Sequence, residues 1–135
     1  MSQSFRQHSS EHWDSPPWRI YKKTGDMTLP APCNLWVIID ENPDSINDAA
    51  FAVNMNNLPT AAAFQDGPGV SHCNACGFTF GDGHSEIHKW KDARTYSGRM
   101  ATTYISRQTS AYTQPKPNSV DIAWLNERST AKIKP

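Results

Sequence analysis

The chain has 135 residues, with Lys+Arg and Asp+Glu balanced at 13 each, which suits one domain large enough to fold without a metal or a disulfide. That balance lacks the basic excess of a nucleic-acid-binding domain, and no apolar run of about 18 residues is present to span a membrane as a helix. The opening MSQSFRQHSSEHWDSPPW has no apolar centre and does not read as a secretory signal, and three cysteines are too few for a disulfide scaffold.

In chain order, residues 1–17 read as a polar arm and 18–135 as a single domain. WRIYKK (18–23) alternates apolar and polar residues and predicts a short strand. TGDMTLPAPCN follows as a loop, with Pro30 and Pro32 excluding regular structure. LWVIID (35–40) is the strongest strand, and its continuous apolar character predicts cover on both faces. In ENPDSINDAAFAV, Asp44 or Ser45 can cap a short helical turn carrying Ile46, Ala49 and Ala50; the alternative is a rigid acidic loop. NMNNLPTAAAFQDGPG reads as irregular, with a break at Asp66-Gly67-Pro68-Gly69.

GFTFGDGHSEIHKW predicts a β-hairpin. Phe78 and Phe80 alternate with Thr79, and Asp82-Gly83 is a turn pair that accepts positive φ at both positions. Residues 77–81 and 84–89 are therefore expected to pair. Residues 93–114 are polar, with Tyr96, Met100, Tyr104 and Ile105 as anchors. QPKPN reads as an extended spacer. VDIAWLNERST reads as a final helix or a docked extended tail.

The segment SHCNACGFTFGDGHSEIHKW (71–90) concentrates chemistry. Cys73, Cys76, His84 and His88 form C-x2-C-x7-H-x3-H, a donor set suited to tetrahedral zinc. Zinc fingers usually place about twelve residues between the two pairs. On a strand, His84 and His88 would also stand roughly 13 Å apart, at about 3.3 Å per residue. Only a helix would bring them to one ion. A small zinc-binding module using these four residues is thus the alternative to a structural hairpin. C-x-x-C as a redox couple belongs at a helix N-terminus, whereas here a strand follows. A Cys nucleophile with a His base lacks an orienting third group and an oxyanion hole, so no enzyme is expected. Asp40, Glu41, Asp44 and Asp48, with Ser45 and Asn47, offer hard oxygens for calcium, though not at the spacing of the helix-loop-helix calcium site. A loop in which Asp and Asn bond their own backbone is the simpler expectation.

His72, the nine residues 73–81, and Asp82-Gly83 together resemble the His-x9-Asp-Gly motif in the globular part of bacterial type II secretion pseudopilins, specifically the prepilin-like proteins of Verrucomicrobia and Planctomycetes. LWVIIDENPDSINDAAFAV resembles that family's strand and acidic stretch, YKKTGDMTLPAP the segment before it, and VDIAWLNERST its tail, so the likeness covers roughly residues 18–130. It implies a pilin-like α+β domain: a small antiparallel sheet of three to five strands with long ordered loops. It also implies a non-catalytic structural subunit of a short periplasmic pilus that aids protein export. Partners would be other pseudopilin subunits and the secretion machinery, in the periplasm or cell envelope, with no nucleic acid. His72, Asp82 and Gly83 would fix the hairpin register. No cofactor is implied beyond calcium, for which Asp40, Asp44 and Asp48 are the candidates.

Two departures bear on the resemblance. The family's basic leader and apolar N-terminal helix have no counterpart here, as in a fragment, a misplaced gene start or a soluble relative. Cys73 and Cys76 stand where the family has Asn and small Gly residues, and in an exported protein they can oxidise. A pilin-like sheet without its helix would leave an apolar face exposed, with residues of the 35–39 strand and Phe78 or Phe80 as candidates. Such a chain would self-associate or cover the face with residues 1–17. A surface-binding domain using exposed Trp residues is a third reading.

Overall fold

A computed structural model of the chain describes residues 17–46, 48–55, 58–97 and 114–133. Three strands, β1 (Trp36–Ile39), β2 (Ala75–Phe80) and β3 (Ser85–Lys89), form one antiparallel sheet in the order β1-β2-β3. A one-turn helix α1 (Ala93–Tyr96) follows β3, and an eight-residue helix α2 (Val120–Glu127) comes near the C-terminus. The result is a small α+β domain, as expected. Much of the described chain is ordered loop.

The hairpin pairs as predicted, with Cys76 opposite His88 and Phe78 opposite Glu86. Its turn differs from the expected two-residue type. Gly83 N donates to Phe80 O and Phe80 N donates to His84 O, both at 2.9 Å, and only Gly83 has positive φ, at 93°. This is a three-residue loop ending in a left-handed glycine, the form that matches strand twist when one extra residue, here Gly81, enters the turn.

β1 departs from its expected two-sided cover. Trp36 and Ile39 are buried, but Ile38 is 52% exposed. A register shift between Trp36 and Ile38 inserts an extra residue, so Trp36 and Ile39 share the covered face although three positions apart. WRIYKK is not a strand of the sheet. Trp18 makes a lone bridge with Lys132, with Arg19 N donating to Ala131 O and Ile133 N to Pro17 O. Tyr21 is buried, with its Oη donating to Leu29 O at 2.6 Å. The acidic stretch takes its loop form. The Asn42 side chain accepts from Asp44 N, Asn42 O accepts from Ser45 N, and Asp48 Oδ1 accepts from Ala50 N, so short polar side chains compete with a helical turn for the backbone.

VDIAWLNERST forms the helix among its two options. Ser119 caps it by accepting from Ile122 N, satisfying a donor that a helix start leaves open. Lys116, in the spacer, is buried and ties back through its N–H to Ala62 O. Of the expected anchors in 93–114, Tyr96 packs against the core; Met100, Tyr104 and Ile105 lie outside the described residues, as does the polar arm apart from Pro17. No described helix is long and apolar enough to cross a membrane.

The core lies on one face of the sheet. Trp36, Phe78 and Phe80 meet Phe51 and Phe64 from the 51–64 loop and Ile122 and Leu125 from α2. This corrects the expectation that Phe78 or Phe80 would be left uncovered: both are buried, because α2 and the loop cover their face. The opposite face carries Ile38, Gly77, Thr79 and Ile87 around a shallow groove. Ile87 is 66% exposed.

Candidate functional site

The groups singled out from the sequence fall into two places, the base of the hairpin and its tip. At the base, Asp40 leaves β1 and meets the start of β2. Its N–H donates to Gly77 O, its carbonyl accepts from Gly69 N at 2.7 Å, and its Oδ2 accepts from Gly77 N at 3.1 Å. His72 Nε2 lies 3.5 Å from the same Oδ2. The contacts require glycines. A Cβ on Gly77 would stand 2.6 Å from Asp40 Oδ2, and one on Gly69 would stand 2.9 Å from Asp40 O. Asp40, Glu41, Gly69 and His72 line a depression on the surface here.

At the tip, Asp82 Oδ1 accepts from His84 N at 3.1 Å and lies 2.6 Å from His84 Nδ1. The hydrogen bond to His84 holds the Asp82 carboxyl below its ordinary range. The His84 ring stacks on Phe80 with centroids 4.5 Å apart. His72 and Asp82 are thus at opposite ends of β2. Each serves its own end: His72 pairs with Asp40, and Asp82 with His84 closes the turn that sets register. His72 N also donates to Ala75 O.

Of the zinc candidates, Cys76 and His88 are cross-strand partners, but each is engaged elsewhere. The buried Cys76 thiol donates to Asp40 O at 3.2 Å. Burial, with the nearby Asp40 charge, pushes its pKa up to about 12, so it stays a thiol rather than the thiolate that binds metal or attacks carbon. The His88 ring stacks on Trp124, with centroids 3.6 Å apart, and Arg128 covers that indole 4.5 Å from its centre. Burial lowers the His88 pKa, which favours the neutral ring. Cys73 is exposed, in a left-handed conformation beside Asn74, and His84 is committed to the tip. Cys33, Cys73 and Cys76 are all free thiols.

The calcium candidates are also distributed: Asp40 to Gly77 and His72, Asp48 to Ala50 N, and Asp44 within the buried turn after Asn42. Among the described residues, no three His, Cys, Asp or Glu side chains converge as metal ligands. Glu41 is the most perturbed carboxyl of this stretch. Burial, reinforced by Asp66 and Asp48, raises its pKa to about 7 against the opposing hydrogen bond from Ser45 Oγ at 2.9 Å.

Sequence reasoning missed Asp121. It is 1% exposed, and its carboxylate accepts from Lys91 N, Asp92 N and Thr95 Oγ1. It therefore locks the hairpin exit and α1 onto α2. The only signal was an acidic residue in the first turn of a predicted helix, where charge alone gives a reason for it. Asp40 was read as a possible calcium ligand; its role as a hub becomes visible only once Gly69 and Gly77 are known to lie beside it. Comparison with family models, curated proteins and solved structures gave no match for the chain.

Proposed function

We propose that this chain is the globular part of a non-catalytic structural subunit resembling a type II secretion pseudopilin. Its partners are other pseudopilin subunits and the secretion machinery, and its place is the periplasm or cell envelope. The observation that carries the reading is a sheet that the described residues cover on one side. Its covered face is completed by α2 and the 51–64 loop, while the other face offers Ile38 and Ile87 across a floor of Gly77 and Thr79. In a pilin-like subunit an apolar helix packs on such a sheet, and small floor residues let a helix approach closely. The titratable groups support a non-catalytic role. The thiol of Cys76 is suppressed, His88 is stacked, and the Asp82–His84 and Asp40–His72 pairs each bond the hairpin backbone at their own end.

The test is to probe fractionated cells of the source organism, and filaments sheared from them, with antibody to this chain. The chain is expected in the envelope and filament fractions, together with other prepilin-like subunits identified by mass spectrometry. Confinement to the cytosolic fraction would overturn the proposal.

A further inference from the structure

β3 forms one side of the sheet, and its hydrogen-bonding phase can be read from both ends. Phe80 N donates to His84 O, and Trp90 N donates to Asn74 O, each at 2.9 Å. Between them Glu86 faces Phe78 and His88 faces Cys76. In an antiparallel ladder the inward-bonded residues alternate. Residues 84, 86, 88 and 90 therefore turn their backbone groups to β2, and Ser85, Ile87 and Lys89 turn theirs outward. Among the described residues nothing pairs with this outer edge. The strand lacks the proline or bulge that commonly blocks an open edge, and Lys89 is its only cation.

The order of residues selects an occupant. Ser-Glu-Ile-His-Lys laid antiparallel on itself about Ile87 puts Ile87 opposite Ile87 and Glu86 opposite His88. Ser85 then faces Lys89. Each Glu86 carboxylate meets a ring that can donate a hydrogen bond, and no like charges face one another. The other in-phase registers are worse. Centring on Glu86 sets two carboxylates opposite each other, and centring on Lys89 does the same with two ammonium groups. Centring on His88 sets each Ile87 against Lys89 and leaves Glu86 opposite the buried Trp90, and centring on Ser85 runs the strand into the Gly83 turn. A parallel alignment in register would place Glu86 against Glu86.

We propose that two copies of this chain pair through their β3 edges, antiparallel about a two-fold axis at Ile87, joining two three-stranded sheets into one of six. The contact is isologous and closed, so it stops at a dimer. The outward groups of Ile87 make it a hydrogen-bonded pair, with Cα atoms about 5.5 Å apart. The two exposed isoleucine side chains meet on the open face. Two five-residue edges bury far less than a standard interface, so the dimer is weak, with dissociation at roughly 100 µM or above. The pairing does not rest on the filament reading: a dimer in a chain confined to the cytosol would keep this proposal and sink the other.

The experiment uses the full chain carrying Cys33→Ser and Cys73→Ser, to remove the exposed thiols. Adding Ile87→Cys is expected to give a disulfide-linked dimer under mild oxidation, because the Cα separation lies within disulfide range. Adding Ile38→Cys instead, exposed on the same face but in β1, is expected to leave a monomer. Adding Glu86→Lys to the Ile87→Cys chain removes, at both ends of the pair, the carboxylate that accepts from the His88 ring and puts in its place an ammonium group that cannot accept, and is expected to slow dimer formation roughly three- to tenfold. In the unaltered chain, the Ile87 amide should exchange with deuterium more slowly at about 1 mM than at about 10 µM. Equal disulfide yields from the Ile87 and Ile38 variants would overturn the proposal, as would no effect of Glu86→Lys. Protection of the Ile87 amide that does not change with concentration would also overturn it, because the edge would then be covered within one chain.

Discussion

One strand supplies both faces of the sheet, and the two meet opposite surroundings. On β2, Cys76, Phe78 and Phe80 point into a layer closed by Phe51, Phe64, Ile122 and Leu125. The intervening Gly77 and Thr79 point to a face that no described element covers. The strand's own hydrophobicity does not decide which face is sealed. β1 is as apolar on its open side, at Ile38, as on its closed side, at Ile39. The decision lies with the 51–64 loop and α2, whose apolar residues arrive on one side only. The open side is kept tolerable by small residues, so its exposed apolar area reduces chiefly to Ile38 and Ile87.

The comparison can be broken most directly by truncating one side chain on each face. Phe78→Ala removes a ring in edge contact with Trp36, Trp90 and Trp124 and is expected to cost about 3–5 kcal/mol. Ile87→Ala should stay within about 0.5 kcal/mol. Urea unfolding of both variants measures the contrast, and similar losses would mean that the open face is covered after all. Asp121→Ala comes next, at about 3 kcal/mol, because it strands the buried N–H groups of Lys91 and Asp92 and the hydroxyl of Thr95. Asp121→Asn, which keeps one acceptor oxygen, should recover part of that loss in the same assay.

On the open side, Gly77→Ala is expected to cost about 1–2 kcal/mol, since the new methyl would sit against Asp40 Oδ2 and force it off the Gly77 N–H. The sharper measurement is the double-mutant cycle with Asp40→Ala. With the carboxylate gone the alanine has room, so Gly77→Ala should cost less in that background. Additive losses would show that the Gly77 requirement comes from something other than Asp40.

What was legible in the sequence was local. The hairpin followed from the Phe78–Phe80 alternation and the Asp82-Gly83 step, both settled within a few residues, and a small antiparallel α+β domain followed from it. The turn type was less legible, because Gly81 is as turn-prone as the residues after it and adds one position to the loop. The bulge in β1 was hidden, since a continuous apolar run reads the same with or without an extra residue. The base of the hairpin was hidden for a different reason. His72 pairs with Asp40, 32 positions earlier, and that contact depends on where β1 ends beside β2. The spacing of His72 and Asp82 suggested a shared task, whereas the strand between them holds them apart.

The smallest expected effect lies at Glu41, which lines the depression at the base of the hairpin. In the folded chain its pKa rises from an ordinary 4.5 to about 7, first through burial and then through repulsion from Asp66 and Asp48. Between those two values the native state holds a proton on Glu41 that the unfolded chain has released, so the Glu41 contribution to stability falls as pH rises through this window. Below 4.5 both states are protonated and the penalty is absent; above 7 it is complete. For a sealed group this displacement would be worth roughly 3 kcal/mol, but Glu41 is only half-buried, and solvent screening reduces it to about 1 kcal/mol. His88, its pKa lowered by burial, acts in the opposite sense within this window, so the Glu41 effect is read as the difference between two variants that share it; Asp92 lies outside the window. Its hydrogen bond with Arg94 lowers its pKa to about 2, so its contribution is lost only below its ordinary value near 3.8. Glu41→Gln can still accept from Ser45 Oγ but cannot ionise. Measured by urea unfolding, it should be about 1 kcal/mol more stable than the unaltered chain at pH 8 and no more stable at pH 4. A Gln variant with the same advantage at both pH values would place the benefit in packing. One with no advantage at pH 8 would mean that Glu41 reaches water freely and that the depression at the hairpin base is wetter than its burial implies.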